Sequence, residues 1–311
     1  MQGNIFDISR FMIEDGPGIR TNVFVKGCAL RCKWCSNAFG LNLWEEVSFD
    51  RKKCVGCGAC VSACPQKAIQ IDPDTGIAAA DRDKCNRCLK CVGVCKTKAR
   101  VQVGVKMSSA EILHEVEKDQ IFYRRGGGGV TISGGEILMQ PEFVIEILDK
   151  CQNAYLDTAI ETSGFGKWED LKQMILRSNL VFIDCKLMDE DRHVKATGVS
   201  NVCILQNIKK AAALCLAEKK RLVIRLPLIP GINDDNDNLI KTAEFVKRLE
   251  GNVELNVLPY HNYGMDKYEK LGMEYTLASL KPYGKEELRL VEKQLFRTGV
   301  RFSIGGYKIS K

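Results

Sequence analysis

The stretch KGCALRCKWCSNAF, Lys26 to Phe39, sets Cys28, Cys32 and Cys35 in a C-x3-C-x2-C spacing, and no fourth cysteine follows until Cys54. Just upstream, TNVFVKG (21–27) is a β-branched apolar run that reads as a strand leading directly into the trio. In open α/β folds, ligands collect at the carboxyl ends of strands. Three thiolates can hold three irons of a 4Fe-4S cube and leave the fourth iron without a protein ligand, open to a substrate or cosubstrate. The trio alone is also compatible with a zinc site or an incidental cysteine group.

The surrounding chain narrows the setting. Its 311 residues, 45% hydrophobic and 27% charged, suit one large or two modest globular domains. No stretch approaches about 18 consecutive apolar residues, and the opening MQGNIFDISR lacks the basic flank and apolar run of a signal peptide, so a cytoplasmic location is expected. In a reducing cytosol, dense and regularly spaced cysteines point to metal ligation rather than disulfides. Eleven of the fifteen cysteines fall into three tight groups. Cys151, Cys185, Cys203 and Cys215 stand alone among apolar neighbours, as core cysteines do.

The second and third groups identify the metal chemistry. Cys54, Cys57, Cys60 and Cys64 form one C-x2-C-x2-C-x3-C run, and Cys85, Cys88, Cys91 and Cys95 form another. This is the spacing of the bacterial two-cluster ferredoxin, in which the fourth cysteine of each run ligates the other cluster. One 4Fe-4S cluster is therefore assigned to Cys54, Cys57, Cys60 and Cys95, and its neighbour to Cys64, Cys85, Cys88 and Cys91. Pro65 after Cys64 fits the pattern, whereas Lys96 after Cys95 departs from it. A pair of zinc sites is the alternative, although zinc usually takes separate C-x2-C knuckles.

With an aromatic residue before its last cysteine, the trio resembles that of the radical S-adenosylmethionine (SAM) superfamily. Together with EDGPGIRTNVFVKGC before it, VTISGGE after it and the pair of ferredoxin runs, the chain is similar to the activating enzymes of glycyl radical enzymes, in the subgroup with two auxiliary clusters. The likeness covers nearly the whole chain. Two departures stand out: WCSNAFG replaces the usual WC-x-N-P-E, beside the adenine, and GGEIL lacks the proline that often follows GGE.

Strand-like runs alternate with amphipathic ones from about residue 98 onward. ARVQVGV, GGVTISG, YLDTAIETSG, LVFIDCK, KRLVIRLPLIPG and NVELNVLPYH read as strands, with RRGGGG as a lead-in to the second. PEFVIEILDKC, NVCILQNIKKAAALCLAEK and DNLIKTAEFVKRLE read as helices, and Ser108 with Glu111 predicts a capping box. Strand then helix, repeated, means a parallel sheet with helical crossovers. The fold class is therefore α/β, and the resemblance implies a partial (β/α)6 TIM-like barrel, residues 1–47 and 99–311. A bacterial ferredoxin-like domain is inserted at residues 48–98.

The resemblance also implies roles at strand ends. Gly134, Gly135 and Glu136 would hold the methionyl amine of SAM, and Lys186 its carboxylate, with Asp184 and Cys185 beside it. Glu161, Thr162 and Ser163 would line the ribose and methionine pocket. Trp34, Cys35 and Ser36 would lie at the adenine, with Arg225 and His261 around the nucleotide. Asp15, Gly16, Pro17 and Gly18 are the candidates for contact with the partner, an ordinary Gly-Pro turn being the other reading.

The function so implied is reductive cleavage of SAM to methionine and a 5′-deoxyadenosyl radical, which takes hydrogen from a backbone glycine of a partner glycyl radical enzyme. Cofactors would be three 4Fe-4S clusters and SAM, with a flavodoxin or ferredoxin as electron donor and a monomeric chain. A radical SAM enzyme acting on a small molecule or peptide, and a non-catalytic electron carrier, remain as alternatives. Nucleic acid is not an expected partner. Eleven thiolates and three oxidised cores bring the formal charge of +7 to about +2, and no run of five like charges or aromatic-basic platform is present. No membrane association is expected.

Overall fold

The computed structural model describes residues 1–306. A strand unremarked in the sequence comes first: β1 (Gln2–Met12) lies antiparallel to β2 (Arg20–Val25), the strand that leads into the trio. β3 (Glu46–Phe49) follows, and then a segment made of two copies of one small unit. α1 (Ala59–Ser62) and β4 (Ile69–Ile71) belong to the first, and after β5 (Ala78–Ala80) come α2 (Lys90–Gly93) and β6 (Arg100–Val103) of the second. The left-handed residues Gly56, Gly58 and Lys67 of the first copy recur as Arg87, Leu89 and Lys98 in the second. β4 pairs with β5, and β6 pairs with β3, each antiparallel.

ARVQVGV, read from sequence as one strand, is two. Gly104, at φ 93°, breaks the run, and β7 (Val105–Ser108) leaves for the edge of the large sheet beside β1. The predicted capping box is present. Ser108 accepts from the Glu111 amide while the Glu111 carboxylate accepts from the Ser108 amide, opening α3 (Ser109–Glu117). RRGGGG is not a strand lead-in. Arg124 to Gly126 finish α4 (Gln120–Gly126), and Gly127 caps it in the left-handed region before β8 (Gly129–Gly134) begins.

From β8 onward strands and helices alternate as expected: α5 (Pro141–Asn153), β9 (Asp157–Thr162), α6 (Trp168–Leu176), β10 (Leu180–Asp184), α7 (Glu190–Thr197), α8 (Val202–Ala217), β11 (Arg221–Leu228), α9 (Asn236–Lys247) and β12 (Glu254–Pro259). α10 (Met265–Lys270), α11 (Lys285–Thr298) and the short β13 (Phe302–Ile304) complete the described chain. The sheet runs β13-β12-β11-β10-β9-β8-β2-β1-β7, parallel from β13 to β2. β7 and β13 are its two edges, so the barrel is partial. β2 and β8 to β12 supply the six parallel strands, and β13 adds a seventh. Among the described residues, no helix is long and apolar enough to cross a membrane.

Alternation along the strands separates two faces. Val23, Val25, Val130, Ile132, Ile160, Val181, Ile183, Leu222, Ile224, Leu255 and Val257 join the core cluster beneath the helices. The intervening positions look inward. Ala159, Leu180, Phe182 and Val223 form a small apolar floor there, and Asn22, Ser133, Glu161, Asp184, Arg225 and Asn256 lie on the same face. An inner face with this many polar groups is a binding surface rather than a filled core.

Candidate functional site

The trio sits on a loop pinned at both sides. Gly27 and Cys28 amides donate to Gly40 and Leu41 carbonyls, and Arg31 and Lys33 amides donate to Thr197 and Ala196 carbonyls at the end of α7. Trp34 anchors the loop from beneath in an apolar cap with Leu187, Ile229, Tyr260, Tyr268 and Tyr275, against which Cys32 and Cys35 pack. Burial pushes the Cys28 and Cys32 thiols up to about 12 and the Cys35 thiol upward, and Cys28 feels both Cys32 and Cys35 while Cys32 feels Cys35. Three soft donors gathered in a dry cap, with cationic Lys186 beside Cys32 and Cys35, fit a cationic iron-sulfur core bound through three thiolates.

The glycines of TISGGE serve the protein's own backbone. A Cβ on Gly134 would lie 2.3 Å from the Val25 carbonyl oxygen, and one on Gly135 would lie 2.3 Å from that of Gly40 and 2.4 Å from that of Gly27. They let the end of β8 close onto the end of β2 and the trio loop, where the Glu136 amide donates to Gly27. The Glu136 carboxylate is buried and fully engaged. Thr162 Oγ1 and the Leu138 amide donate to one oxygen, and the Ser163 amide and hydroxyl donate to the other. Its four acceptor positions are thus used within the chain, so Glu136 orients the Thr162–Ser163 strand end.

A charged layer lies farther in. The Arg225 guanidinium pairs with Glu161, approaches Asp15 at 3.6 Å and lies 3.8 Å over the Phe182 ring. Glu161 also accepts from Ser133, and Asp15 accepts from Asn22. Asp15 therefore points into the barrel. Its loop crosses the inner face, with the Glu14 carbonyl accepting from Arg225 and Glu14 lying where a Cβ on Gly306 would fall. Lys186 is buried against Asp184. Burial alone would depress its ammonium, but Asp184 and Cys32 hold it above its ordinary value. Three buried polar atoms on the inner face, Asn22 Oδ1, Arg225 Nε and Asn256 Oδ1, have no partner among the described residues, which fits a polar ligand there.

Glu161 makes this layer pH-sensitive. Burial pushes its carboxyl up to about 7, Arg225 opposing and Asp15 adding. The folded chain then keeps a proton that the unfolded chain has lost, so stability falls as pH rises from the ordinary carboxylate range to about 7 and is level above it. Glu161→Gln should flatten that fall. Anaerobic denaturation at a series of pH values reads the slope, and an unchanged slope would contradict this environment.

Of the eight cysteines between residues 54 and 95, four share one place. Cys54, Cys57, Cys60 and Cys95 line one cavity of about 310 Å³ with Phe49, Ala78 and Arg100, so one thiol from the second run joins three of the first. Cys91 feels Cys85, Cys88 and Cys60. Ala68 and Arg100 amides donate to the Cys64 and Cys95 sulfurs at 3.3 and 3.4 Å, matching contacts in the two copies. Among the described residues, no group of three or more His, Cys, Asp or Glu side chains is placed as the ligands of a single metal ion would be.

Several expected site residues lie elsewhere. The Cys185 side chain belongs to the core beneath the helices and contacts Met188 sulfur at 3.6 Å, so the alternation of β10 turns it away from Asp184 and Lys186. His261 is exposed and stacks on Tyr263 with ring centres 4.5 Å apart, at the rim. Gly18 packs on the 126–128 turn. Lys267 and Tyr268 on α10, beside Cys35, had no sequence signal, since they follow an irregular loop and not a strand.

Comparison with known proteins agrees with this geometry. The family model described as the radical SAM superfamily matches residues 22–243. The trans-4-hydroxy-L-proline dehydratase activating enzyme of Clostridioides difficile is 40% identical over 306 residues, covering 97% of this chain and 99% of its own. The choline trimethylamine-lyase activating enzyme of Oleidesulfovibrio alaskensis is 40% identical over 295 residues, 93% of each chain. A solved radical SAM methyltransferase from Sphaerobacter thermophilus shares the fold at a TM-score of 0.54 and 13% identity, covering 96% of this chain and 76% of its own.

Proposed function

The chain belongs to the radical SAM superfamily and, within it, to the activating enzymes of glycyl radical enzymes, and from that premise we propose how its own residues carry out SAM-dependent activation of a partner. The observation that carries the reading is the three-cysteine loop facing a polar barrel interior with unpartnered buried atoms. Cys28, Cys32 and Cys35 would hold a 4Fe-4S cluster, which supplies the electron for cleavage of SAM when bound.

The chain's part is binding, orientation and exclusion of water. Lys186, held cationic, can exchange its Asp184 contact for the methionyl carboxylate. The Gly134 and Gly135 backbone, Ser163 and the Glu161–Arg225 pair would border the methionine and ribose, with Trp34 and Ser36 toward the adenine and His261 at the outer rim. Glu136 acts as a positioning residue. Asp15 lines the interior where the partner's glycine loop would reach the nucleotide, and Gly16, Pro17 and Gly18 would carry its loop. The apolar cap of tyrosines keeps water from the trio.

The reading extends to a ferredoxin-like insert, residues 48–98, bearing two further 4Fe-4S clusters that relay electrons from a flavodoxin or ferredoxin. The shared cavity of Cys54, Cys57, Cys60 and Cys95 supports the crossed ligand assignment. A cytoplasmic, monomeric protein suits this use. In the test, the reduced holoenzyme is mixed anaerobically with SAM and each of a panel of glycyl radical enzymes. One partner should develop a glycine-centred EPR doublet alongside 5′-deoxyadenosine. Cleavage of SAM with no doublet from any partner would favour a small-molecule or peptide substrate, and no cleavage would defeat the reading.

A further inference from the structure

α10 brings two side chains to the last cysteine of the trio, and neither is used in handling SAM. The helix is docked there closely. A Cβ on Gly264, at its start, would lie 2.8 Å from Ser36 Cα and 3.0 Å from the Cys35 carbonyl oxygen. Lys267 Nζ donates to the Ser36 carbonyl and to Asn37 Oδ1, both at 3.1 Å. Tyr268 is buried in the apolar cap that packs on Cys32 and Cys35, its ring centre 5.0 Å from that of Tyr275, and it lies beside Cys35. The turn after the helix holds the position, the Met273 amide donating to the Tyr268 carbonyl at 2.9 Å.

The three sulfurs thus have different surroundings. Cys28 faces Glu136, Cys32 faces the Lys186–Asp184 pair, and Cys35 faces Lys186, then Lys267 and Arg31, with Tyr268 beside it. Lys186 is committed to carboxylates. An O–H donor and an ammonium group beside a ligating sulfur both favour the cluster state carrying one more negative charge, and in a water-poor cap their effect is little screened.

We propose that Lys267 and Tyr268 are positioning residues that raise the reduction potential of the cluster held by Cys28, Cys32 and Cys35, acting through the Cys35 sulfur. This rests on the radical SAM reading of the trio. It assigns a function to a short helix outside the strand ends, and it makes the ease of electron entry a property of the C-terminal part of the chain.

The test is an anaerobic redox titration of the holoenzyme followed by EPR, reading the signal that changes when SAM is added. For Tyr268→Phe and Lys267→Met, the reduced-to-oxidised ratio of that signal at a fixed potential should fall about tenfold each, about 59 mV for one electron. Lys267→Arg should restore it, and iron-sulfur signals indifferent to SAM should stay in place. A purely structural role would lower iron content or melting temperature without moving the midpoint. Unmoved midpoints in both variants, or an equal shift of every signal, would overturn the proposal. If Lys267→Met does not load iron, Tyr268→Phe, which keeps the ring and its packing, decides the matter. If no signal of the wild-type protein responds to SAM, the radical SAM reading itself fails and this proposal with it.

Discussion

Cys32→Ala should lose SAM cleavage to background while retaining about two thirds of its iron. Cys32 lies on the pinned loop between β2 and β3, packed against the apolar cap but contributing no core strand or helix. Its loss removes one of only three thiolates at a centre that has no protein ligand to spare, so the whole cluster should be lost. The eight cysteines between residues 54 and 95 are separate in sequence, and the cavity that four of them line shares no lining residue with the trio. Iron analysis and quantitation of 5′-deoxyadenosine under dithionite check both halves. Full cleavage by the variant, or loss of all iron, would contradict the division of cysteines into one open and two closed sets. Circular dichroism should remain that of the parent chain.

Arg20→Met should destabilise the fold by about 2–4 kcal/mol, the cost of leaving two buried acceptors without their donor, while the Asp157 carboxylate remains partly in water. Arg20 is fully buried at the start of β2. Its Nε donates to Thr131 Oγ1 at 2.7 Å, Nη1 to Asp157 Oδ1 at 2.8 Å and Nη2 to the Val130 carbonyl at 2.8 Å, tying β2 to β8 and β9. Methionine can fill much of the volume but leaves those acceptors without their donor. Thermal or urea unfolding under anaerobic conditions reads the loss. A change below about 1 kcal/mol would show that the guanidinium is not the clasp this geometry makes it.

The parallel strands and their ends were readable in the sequence. β-Branched runs bounded by glycine, such as TNVFVKG and VTISGG, announced the parallel strands because both faces of such strands are largely shielded. Strand ends then pointed to Asp184, Lys186 and Arg225, which the structure does bring toward the barrel interior. β1 was harder to see. QGNIFDISRFM mixes polar and apolar residues as a half-exposed antiparallel strand does, and nothing local shows that it will pair with β2. Gly104 split one apparent strand by backbone conformation alone.

The motif EDGPGIR illustrates a different limit. Sequence reading offered only partner contact or an ordinary turn, yet Arg20 is a clasp across three strands and Asp15 faces Arg225 within the barrel. Such roles depend on residues more than a hundred positions away, such as Thr131 and Arg225, and spacing cannot reveal them. Glu136 is similar. Its partners Thr162 and Ser163 come from the next strand, so the saturation of its carboxylate becomes visible only once β8 and β9 are side by side. The Cys185 side chain lies in the core for a local reason, since the period of two along β10 sends it opposite to Asp184.

The most direct measurement follows one atom. The partner glycyl radical enzyme is made with glycine deuterated at Cα and is incubated anaerobically with reduced holoenzyme and unlabelled SAM. The 5′-deoxyadenosine is then analysed by mass spectrometry. One deuterium per molecule, appearing together with the glycyl radical, is the predicted result. Nucleoside formed in step with that radical but free of label would mean that hydrogen is taken from somewhere other than the partner's backbone.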